Sequence, residues 1–462
     1  MTATDIPPPA TWKVLLSPGQ RGPVMLISSG VGMHAFNDLS IAATIPVAYA
    51  DLGALARLPL AYALFFIGVV TGGLVSAALR ARLGARRTGL AGATVFLTGV
   101  LLTALAGSGW VFALGRSLQG LSDGIIVALC YGMIPQLIRS DLVARVFSVE
   151  AVVWALAAGI GPLAGGYATE LFGWRAAMLV CLPLVLVFFA TVPAVLPRAG
   201  AEDPASRRPA GLPVVIALLG TLAFALPSAL PGSTWPGLAI PLGLGLFALA
   251  FRTDRIRRTP FFPEGFFTPT PLGLAAWTNF LMPVAQAASS VFLALSLGAV
   301  FDLSPIWTGW ILIALALSWS GTAMIVGGWN VDTRSRILRH GPFVQAAGLA
   351  LTGLGLGTAT LPLVVLGHAL CGVAFGLVWG PVSEVVMRLT EETDRARVSS
   401  FLPTLQTTGF AVGAGLTGWI AGVSGLTERI GTEAASVLAV WGAAVVLALM
   451  AGGAARGVRE AR

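Results

Sequence analysis

Six polar side chains stand in stretches that are otherwise apolar. His34, Asn37 and Asp38 fall in VGMHAFNDLSIAATIP, and Arg116, Gln119 and Asp123 fall in GRSLQGLSDG. Their types suit the holding and release of protons. A dry setting disfavours the charged form of a carboxyl, and a nearby guanidinium favours it. A carboxyl that alternates between dry and hydrated settings, or gains and loses Arg116, can therefore bind and release a proton near neutral pH. Arg116 and Asp123 are seven residues apart, which puts them on one helical face about 10 Å apart with Gln119 between them. His34 and Asp38 are one turn apart. Asp38 is the first candidate proton site, Asp123 the second, and Arg116 the group that tunes both. His34 either shares the proton, since imidazole titrates near neutrality, or is a hydrogen-bonded structural histidine. The competing reading is a permanent Asp38–Arg116 or Asp123–Arg116 pair that fixes helix register and never titrates.

The chain that must position these groups belongs in a bilayer. It has 462 residues, 56% hydrophobic and only 10% charged, against about 25% charged in soluble domains. The net charge of +8 comes from small arginine clusters between apolar runs. That pattern anchors loops to anionic lipid and does not build a groove for nucleic acid. Cys130, Cys181 and Cys371 all lie inside apolar runs, so neither a disulfide nor a zinc framework is expected. No metal or cofactor is expected. Residues 1–23 hold PPP, Lys13 and Arg21 without a separate apolar core, and read as a soluble leader, not a signal peptide. No nucleophile–base constellation or phosphate loop is present, which disfavours an enzyme. A lipid-modifying membrane enzyme is the remote alternative, and three scattered histidines argue against it.

Apolar runs define fourteen candidate spans: 24–49, 58–79, 88–107, 110–137, 146–171, 175–197, 212–230, 236–251, 270–299, 305–328, 340–359, 361–387, 398–424 and 434–455. Each is read as a membrane helix. With the N-terminus inside, 24 of the 28 basic residues fall in interior segments, and only Arg57, Arg175 and Arg429 lie outside. That asymmetry predicts cytoplasmic termini. An internal repeat adds the architecture. GRSLQGLSDG at 115–124 faces GHALCGVAFG at 367–376, ARVFS at 144–148 faces ARVSS at 396–400, Gly161 faces Gly413 and Gly166 faces Gly418, all at an offset of 252. The expected fold is all-α: a leader (1–23), a six-helix bundle (24–197), loops with two inserted helices (198–269), a second six-helix bundle (270–455) and a tail (456–462). The inserted helices carry no charge in their cores and read as lipid-facing additions.

One segment, AAGIGPLAGGYATELFGWR at 157–175, concentrates residues that weaken ordinary helices. Gly161 and Gly165 form a small-xxx-small pair, which lets a neighbouring backbone approach closely in lipid. The dinucleotide-binding pattern of glycines also occurs, in GIGPLA at 159–164 and GAGLTG at 413–418. Each lies in mid-helix, so no phosphate-binding turn is expected there.

At these motifs the chain resembles the major facilitator superfamily, in particular its fourteen-span drug:proton antiporters, over nearly its whole length. Gly159, Gly161, Pro162, Gly165 and Gly166 look like the fifth-span antiporter signature. Arg116, Gln119 and Gly120 match RxxQG of the fourth span, Asp38–Pro46 is similar to the first-span pattern, and FGWR at 172–175 matches the opening of the sixth. The loop after the second span departs from the pattern: AALRARLGARR has Ala77 for its first glycine and Ala81 for its aspartate. The resemblance implies a gate at Arg82, Gly84 and Arg86, with Asp332 beside Arg334 as a replacement acid from the other half. Glu150 and Glu384, with Arg145 and Arg388 in reach along their helices, read as interface anchors or gate ion pairs. Asn37, Gln119, Trp154, Asn279, Gln286, His368 and Gln406 are candidates for the substrate cavity, His368 holding the repeat position of Arg116. The implied function is proton-coupled export of small organic, drug-like compounds by alternating access, in the cell (inner) membrane. The partners are the substrate, protons and lipid, and the chain is expected to act as a monomer, since its two halves can form one pathway. Import by symport, or transport of one metabolite, natural product or siderophore, fits the same residues.

Overall fold

In the computed structural model, residues 11–197, 211–229, 236–257, 260–266, 268–429 and 433–458 are described. The start of the leader, residues 198–210 with Arg198, Arg207 and Arg208, and Arg459 and Arg462 of the tail lie outside them. All regular structure among the described residues is helical. The long helices are α1 (Pro18–Ser40), α2 (Leu58–Leu83), α3 (Ala85–Ala104), α4 (Gly109–Leu137), α5 (Val143–Phe172), α6 (Leu182–Val195), α7 (Leu212–Ala229) and α8 (Pro236–Arg255). They continue with α9 (Pro271–Phe301), α10 (Pro305–Gly327), α11 (Gly341–Gly357), α12 (Leu361–Leu389), α13 (Arg395–Ser424) and α14 (Ala434–Arg456).

Among the described residues ten helical stretches are long and apolar enough to cross a membrane, Trp174–Val195 joining α6 to the short helix before it. The helices α1, α7, α11 and α13 fall short individually. Thus α11 has 17 residues, a rise of about 26 Å against ~30 Å of hydrocarbon. The first apolar window is also not one helix. Four turn residues, Ile41–Thr44, separate α1 from a short helix Ile45–Asp51. Pro46 explains the break, because proline lacks an N–H and its ring collides with the carbonyl one turn back. Pro183 ends a similar turn between the short helix Trp174–Ala177 and α6.

Helix bounds and packing follow the repeat. The bounds of α12 are those of α4 displaced by 252 residues, and those of α13 are those of α5 displaced equally. Among the first six helices α1 packs on α4, α5 and α6, and α4 packs on α2 and α3. Among the last six, α9 packs on α12, α13 and α14, and α12 packs on α10 and α11. The two sets meet along two equivalent seams, α2 with α13 and α5 with α10. The inserted pair corrects the expectation of purely lipid-facing helices. Only α8 is largely exposed, whereas α7 packs on both α13 and α2, covering one seam. The Phe224 carbonyl of α7 lies where a side chain on Gly415 would stand. Glycine there admits the backbone.

The glycines of α5 divide between two neighbours. A Cβ on Gly165 would overlap the Ser40 carbonyl of α1, and one on Gly161 would stand 3.3 Å from Leu39 and Ser40. Gly166 points elsewhere, 2.6 Å in the same sense from the Pro305 carbonyl at the start of α10. The Pro162 carbonyl in turn meets Gly309 of α10 at 2.6 Å. Gly159 faces open space, because two residues rotate a helix by about 200°. It is not part of this packing, contrary to expectation.

FGWR has a separate role at the arginine-poor end. Asp51 Oδ2 accepts from Trp174 Nε1 at 2.9 Å and from Arg175 Nη1 at 3.2 Å, and Arg175 lies over the Trp174 ring at 4.1 Å. The indole N–H first, and then the guanidinium, hold the Asp51 carboxyl below the usual carboxylate range.

Two measurements test these contacts. Gly165→Ala should lower the unfolding midpoint of detergent-purified protein, at a cost of about 1–3 kcal/mol from overpacking. Gly159→Ala should stay within ~0.5 kcal/mol of the parent; equal midpoints in the two variants would mean that the Ser40 contact yields freely. For Asp51 the folded-state pKa lies below the unfolded one. Its stabilisation is therefore complete above about pH 4 and is lost as pH falls through the folded value. A pH series of unfolding midpoints should lose this acid-side slope in Asp51→Asn, and an unchanged slope would remove Asp51 from the account.

Candidate functional site

The six polar residues of α1 and α4 meet. Asp123 is fully buried, and its Oδ2 accepts from Asn37 Nδ2 at 3.0 Å and lies 3.4 Å from His34 Nδ1. Asp123 Oδ1 has no partner among the described residues. Arg116 is 1% exposed. Its Nη1 donates to Gln119 Oε1 at 2.5 Å and to Asn37 Oδ1 at 3.5 Å. Gln119 Nε2 donates to Thr103 Oγ1 of α3 at 3.0 Å. The guanidinium also lies over the Phe65 ring of α2 at 3.9 Å, a cation–π contact in a dry setting. Asp38 is half-buried, bonds to no described residue, and lies within electrostatic reach of His34, Arg116 and Asp123.

No direct carboxylate–guanidinium pair is among the ion pairs of the described residues here, so the permanent-pair reading fails in this conformation. Asn37 stands between the charges: its oxygen faces the guanidinium and its nitrogen faces the carboxylate. These two partners fix the amide orientation. The His34 imidazole is the more exposed partner, at 17% for its side chain against 0% for Asp123. Its ring meets Trp154 of α5 edge-on, with centroids 5.7 Å apart. Trp154 is 39% exposed. The cluster thus grades outward from Asp123 through His34 to an accessible indole.

Backbone packing sets the cluster's geometry. On α4 a Cβ at Gly120 or Gly124 would strike the Phe65 or Val69 carbonyl of α2. On α2 one at Gly68 would lie 2.6 Å from the Ser117 carbonyl. This close approach brings Phe65 beneath Arg116, which accounts for the glycine of RxxQG. The repeat keeps the seam: a Cβ on Gly372 of α12 would strike the Leu315 carbonyl of α10, and one on Gly376 would stand 2.8 Å from that of Trp319.

The expected second-half cavity residues do not join the cluster. Asn279 donates to the Leu402 carbonyl at 3.1 Å, tying α9 to α13. It also lines a small pocket with Met282, Pro283, Phe375, Val378 and Trp379. Gln286 Oε1 accepts from Gln345 Nε2 at 3.3 Å, and His368 is buried with Nδ1 unpartnered. Gln406 is half-buried and bonds to no described residue.

The expected gate residues take different partners. Glu384 accepts two bonds from Arg334, at 2.9 and 3.1 Å, and not from Arg388, which reaches Ser335 instead. The fork of a guanidinium matches a carboxylate better than a single contact along one helix could. Asp332 is exposed and pairs with no described residue, so Glu384 is the engaged acid of that region. Glu150 accepts from Ser28 Oγ at 2.7 Å, and not from Arg145. Arg82 is exposed and Arg86 half-buried, neither bonding to a described residue. Gly84 between α2 and α3 has φ 80° and ψ 158°, a backbone region open to glycine alone.

Sequence reasoning missed Phe65, Thr103, Gln345 and Ser28. A hydroxyl or an apolar ring in a membrane helix carries no signal until its neighbour is known. The four positions come from helices whose pairing is long-range.

Comparison with known proteins agrees with this architecture. The profile of the Major Facilitator Superfamily matches residues 27–413. A probable multidrug-efflux transporter of Mycobacterium tuberculosis is 26% identical over 456 residues, covering 95% of this chain and 94% of the relative. The multidrug efflux pump SdrM of Staphylococcus aureus is 21% identical over 395 residues, covering 84% and 87%. Among solved structures, the POT family transporter PepTSo superposes with a TM-score of 0.68 at 16% identity, over 96% of this chain and 99% of that one. A D-xylose-proton symporter gives 0.64 at 14% identity, over 93% and 96%. With its helical repeat, its two seams and this match, the chain belongs to the Major Facilitator Superfamily, as a multi-pass transporter of the cell membrane and not an enzyme.

Proposed function

We propose that this transporter is a proton-coupled antiporter that exports small organic, drug-like compounds by alternating access. The observation that carries the proposal is the buried His34–Asp123–Asn37–Arg116–Gln119 cluster, with Asp38 beside it. Its fixed charges do not balance. One guanidinium faces two carboxyls, so the cluster is one negative charge in excess when His34 is neutral and both acids are ionised. A single proton, on His34 or on either acid, brings it to zero. Charge at this depth is costly, which favours one exchangeable proton per cycle. Asp123 Oδ1, without a donor, and the half-buried Asp38 are the oxygens that gain most from it.

The repeat supports a division of labour. At the offset of 252, His34, Asn37, Asp38, Arg116, Gln119 and Asp123 correspond to Gln286, Ser289, Ser290, His368, Cys371 and Phe375. No carboxyl or guanidinium stands in the second set. Proton coupling then belongs to residues 24–197, while residues 270–455 contribute mainly apolar and aromatic surface, with Asn279, Gln286, His368 and Gln406 as polar points. Trp154, exposed beside His34, lets an aromatic or cationic ligand reach the coupling cluster.

The fourteen apolar windows each overlap one of α1–α14, which supports fourteen spans. The basic residues gather at the end of the bundle that holds Arg82 and Arg334, which supports cytoplasmic termini. In this conformation the close contacts Pro162–Gly309 and Gly166–Pro305, and the Ile306 N–H to Glu170, join the halves at the opposite end. That end is the outside in this reading. The multidrug transporters among the relatives favour export of several compounds over import of one. Both halves of the pathway lie in one chain, which makes the monomer sufficient.

The test uses proteoliposomes with an imposed pH gradient and a panel of lipophilic compounds. Parent protein should accumulate substrate against its gradient when protons flow the other way. Asp123→Asn should lose driven transport by at least tenfold, about 1.4 kcal/mol, while retaining counterflow of preloaded substrate. Accumulation with the proton gradient in the same direction as substrate would support symport instead. Driven transport that survives both Asp38→Asn and Asp123→Asn would remove the cluster from the mechanism.

A further inference from the structure

A third carboxyl lies apart from the coupling cluster and has no ionic partner among the described residues. Glu150, near the arginine-rich end of α5, is 3% exposed. Its Oε1 accepts from Ser28 Oγ of α1 at 2.7 Å, and its Oε2 is buried with no partner among the described residues. From α4, Cys130 and Tyr131 lie within its electrostatic reach. From its own helix the nearest cation in sequence is Arg145, and no Arg, Lys or His of the described residues pairs with it. An ionised carboxylate offers about four acceptor sites, and one hydroxyl answers them here. A structural carboxylate would be expected to hold an arginine, as Glu384 holds Arg334.

The surroundings give this group a direction. Trp154 is one turn further along α5, and Tyr131 of α4 lies close to that indole. The other side of Trp154 meets His34, which touches Asp123. Ser28 and His34 are six residues apart on α1, about 9 Å along the axis. Glu150 therefore lies between the His34–Asp123 cluster and the arginine-rich surface. Tyr131 is half-buried and Trp154 39% exposed, so this stretch is not sealed from the surface.

We infer that Glu150 is a further proton-carrying carboxyl outside the cluster, which receives a proton from the His34–Asp123 cluster by way of Tyr131 and water and releases it at the arginine-rich surface. The inference rests on the proton-coupled reading above. In each step one O–H or N–H bond breaks and one forms; no electron moves and no further reactant is required. Oε2 carries the proton in the conformation described. Rearrangement of α5 against α1 and α4, which gives Oε2 water or a donor, lets it leave. Ser28 positions the carboxyl through the other oxygen and does not itself carry the proton.

The experiment has two arms. Infrared titration of the full chain in lipid nanodiscs, without substrate, should reveal a protonated-carboxyl C=O band that is absent from Glu150→Gln and that shifts in frequency, without vanishing, in Ser28→Ala. Superimposable spectra of parent and Glu150→Gln would overturn the inference. Should Glu150→Gln not purify as a folded protein, the Ser28→Ala shift decides, and an unshifted band would overturn it. In the second arm, proteoliposomes loaded with pyranine report proton movement driven by ethidium. Glu150→Gln should slow that movement on the order of a hundredfold, the lower end of what a positioned proton donor or acceptor contributes. Ethidium binding should be unchanged, and Glu150→Asp should restore the rate. Equal proton rates in parent and Glu150→Gln would also overturn it. If parent protein moves no proton with ethidium, that result bears on the antiport reading, and the infrared arm alone decides the fate of Glu150.

Discussion

Burying a guanidinium together with two carboxyls at bilayer depth constrains the first half of this protein more than any other feature. Arg116 has five N–H donors and is 1% exposed, so its neighbours must answer, although Nε has no partner among the described residues. Gln119 answers from the same helix, Asn37 from α1, and the face of Phe65 from α2. Thr103 of α3 then holds Gln119 in place. Four helices are thereby fixed in register by one side chain. The closeness needed for this comes from glycine: Phe65 could not reach beneath the guanidinium if Gly120 carried a Cβ. Charge satisfaction and backbone packing are thus two sides of one requirement.

The amide of Asn37 gives that arrangement its chemical character. A direct ion pair between Arg116 and Asp123 would be strong, dry and slow to part, since breaking a buried pair strands two charges. Interposing a neutral amide lets each charge be answered by a dipole. The carboxylate is held by Asn37 and approached by His34, yet one oxygen is left open. A group arranged in this way can change its proton count without dismantling the packing around it. The second half keeps the same helix pairing, and Gly372 and Gly376 keep the same close backbone approach. Phe375 stands at the repeat position of Asp123. The scaffold was repeated and the charge was not, which separates what packing needs from what coupling needs.

The legibility of this molecule in its sequence follows the same division. Apolar length and the offset of 252 sufficed for the approximate position of most helices, because each is a one-dimensional property. The bounds of α4 and α12 and of α5 and α13 follow that offset at both ends. Buried charges were also legible, since Asp38, Arg116 and Asp123 in apolar runs are improbable without a role. Partner choice was not. Glu384 was expected to use Arg388 on its own helix and uses Arg334, because the short helix Val331–Ile337 folds back beside α12. Glu150 was expected to use Arg145 and uses Ser28 of α1. The break at Ile41–Thr44 was written in Pro46, yet an apolar window conceals it. The covering of the α2–α13 seam by α7 left no trace in composition, because a helix that faces lipid and one that faces another apolar helix have the same content.

The same helix that bears the glycine signature links the proton cluster to the opposite half. Along α5, Trp154 touches His34 and Gly166 touches Pro305 of α10, twelve residues or about 18 Å apart along the axis. Between them Gly161 and Gly165 press on the end of α1, the helix that carries His34, Asn37 and Asp38. A change in how His34 sits against Asp123 is therefore felt by α5 at Trp154 and, along α1, at Gly161 and Gly165. Close-packed backbones yield little, so α5 can follow such a change only as a rigid rod, and a rod pressed against α10 moves the second half with it. Pro162 loosens one backbone bond of this rod, but its carbonyl is the atom that meets Gly309. The single weak point of α5 thus lies at the seam itself, where a small bend would part the halves and not the helices within one half. That placement accounts for the glycines and proline of this membrane helix: they form the joint between the two repeats, and in the proposed mechanism a proton's arrival at α1 and α4 acts through it.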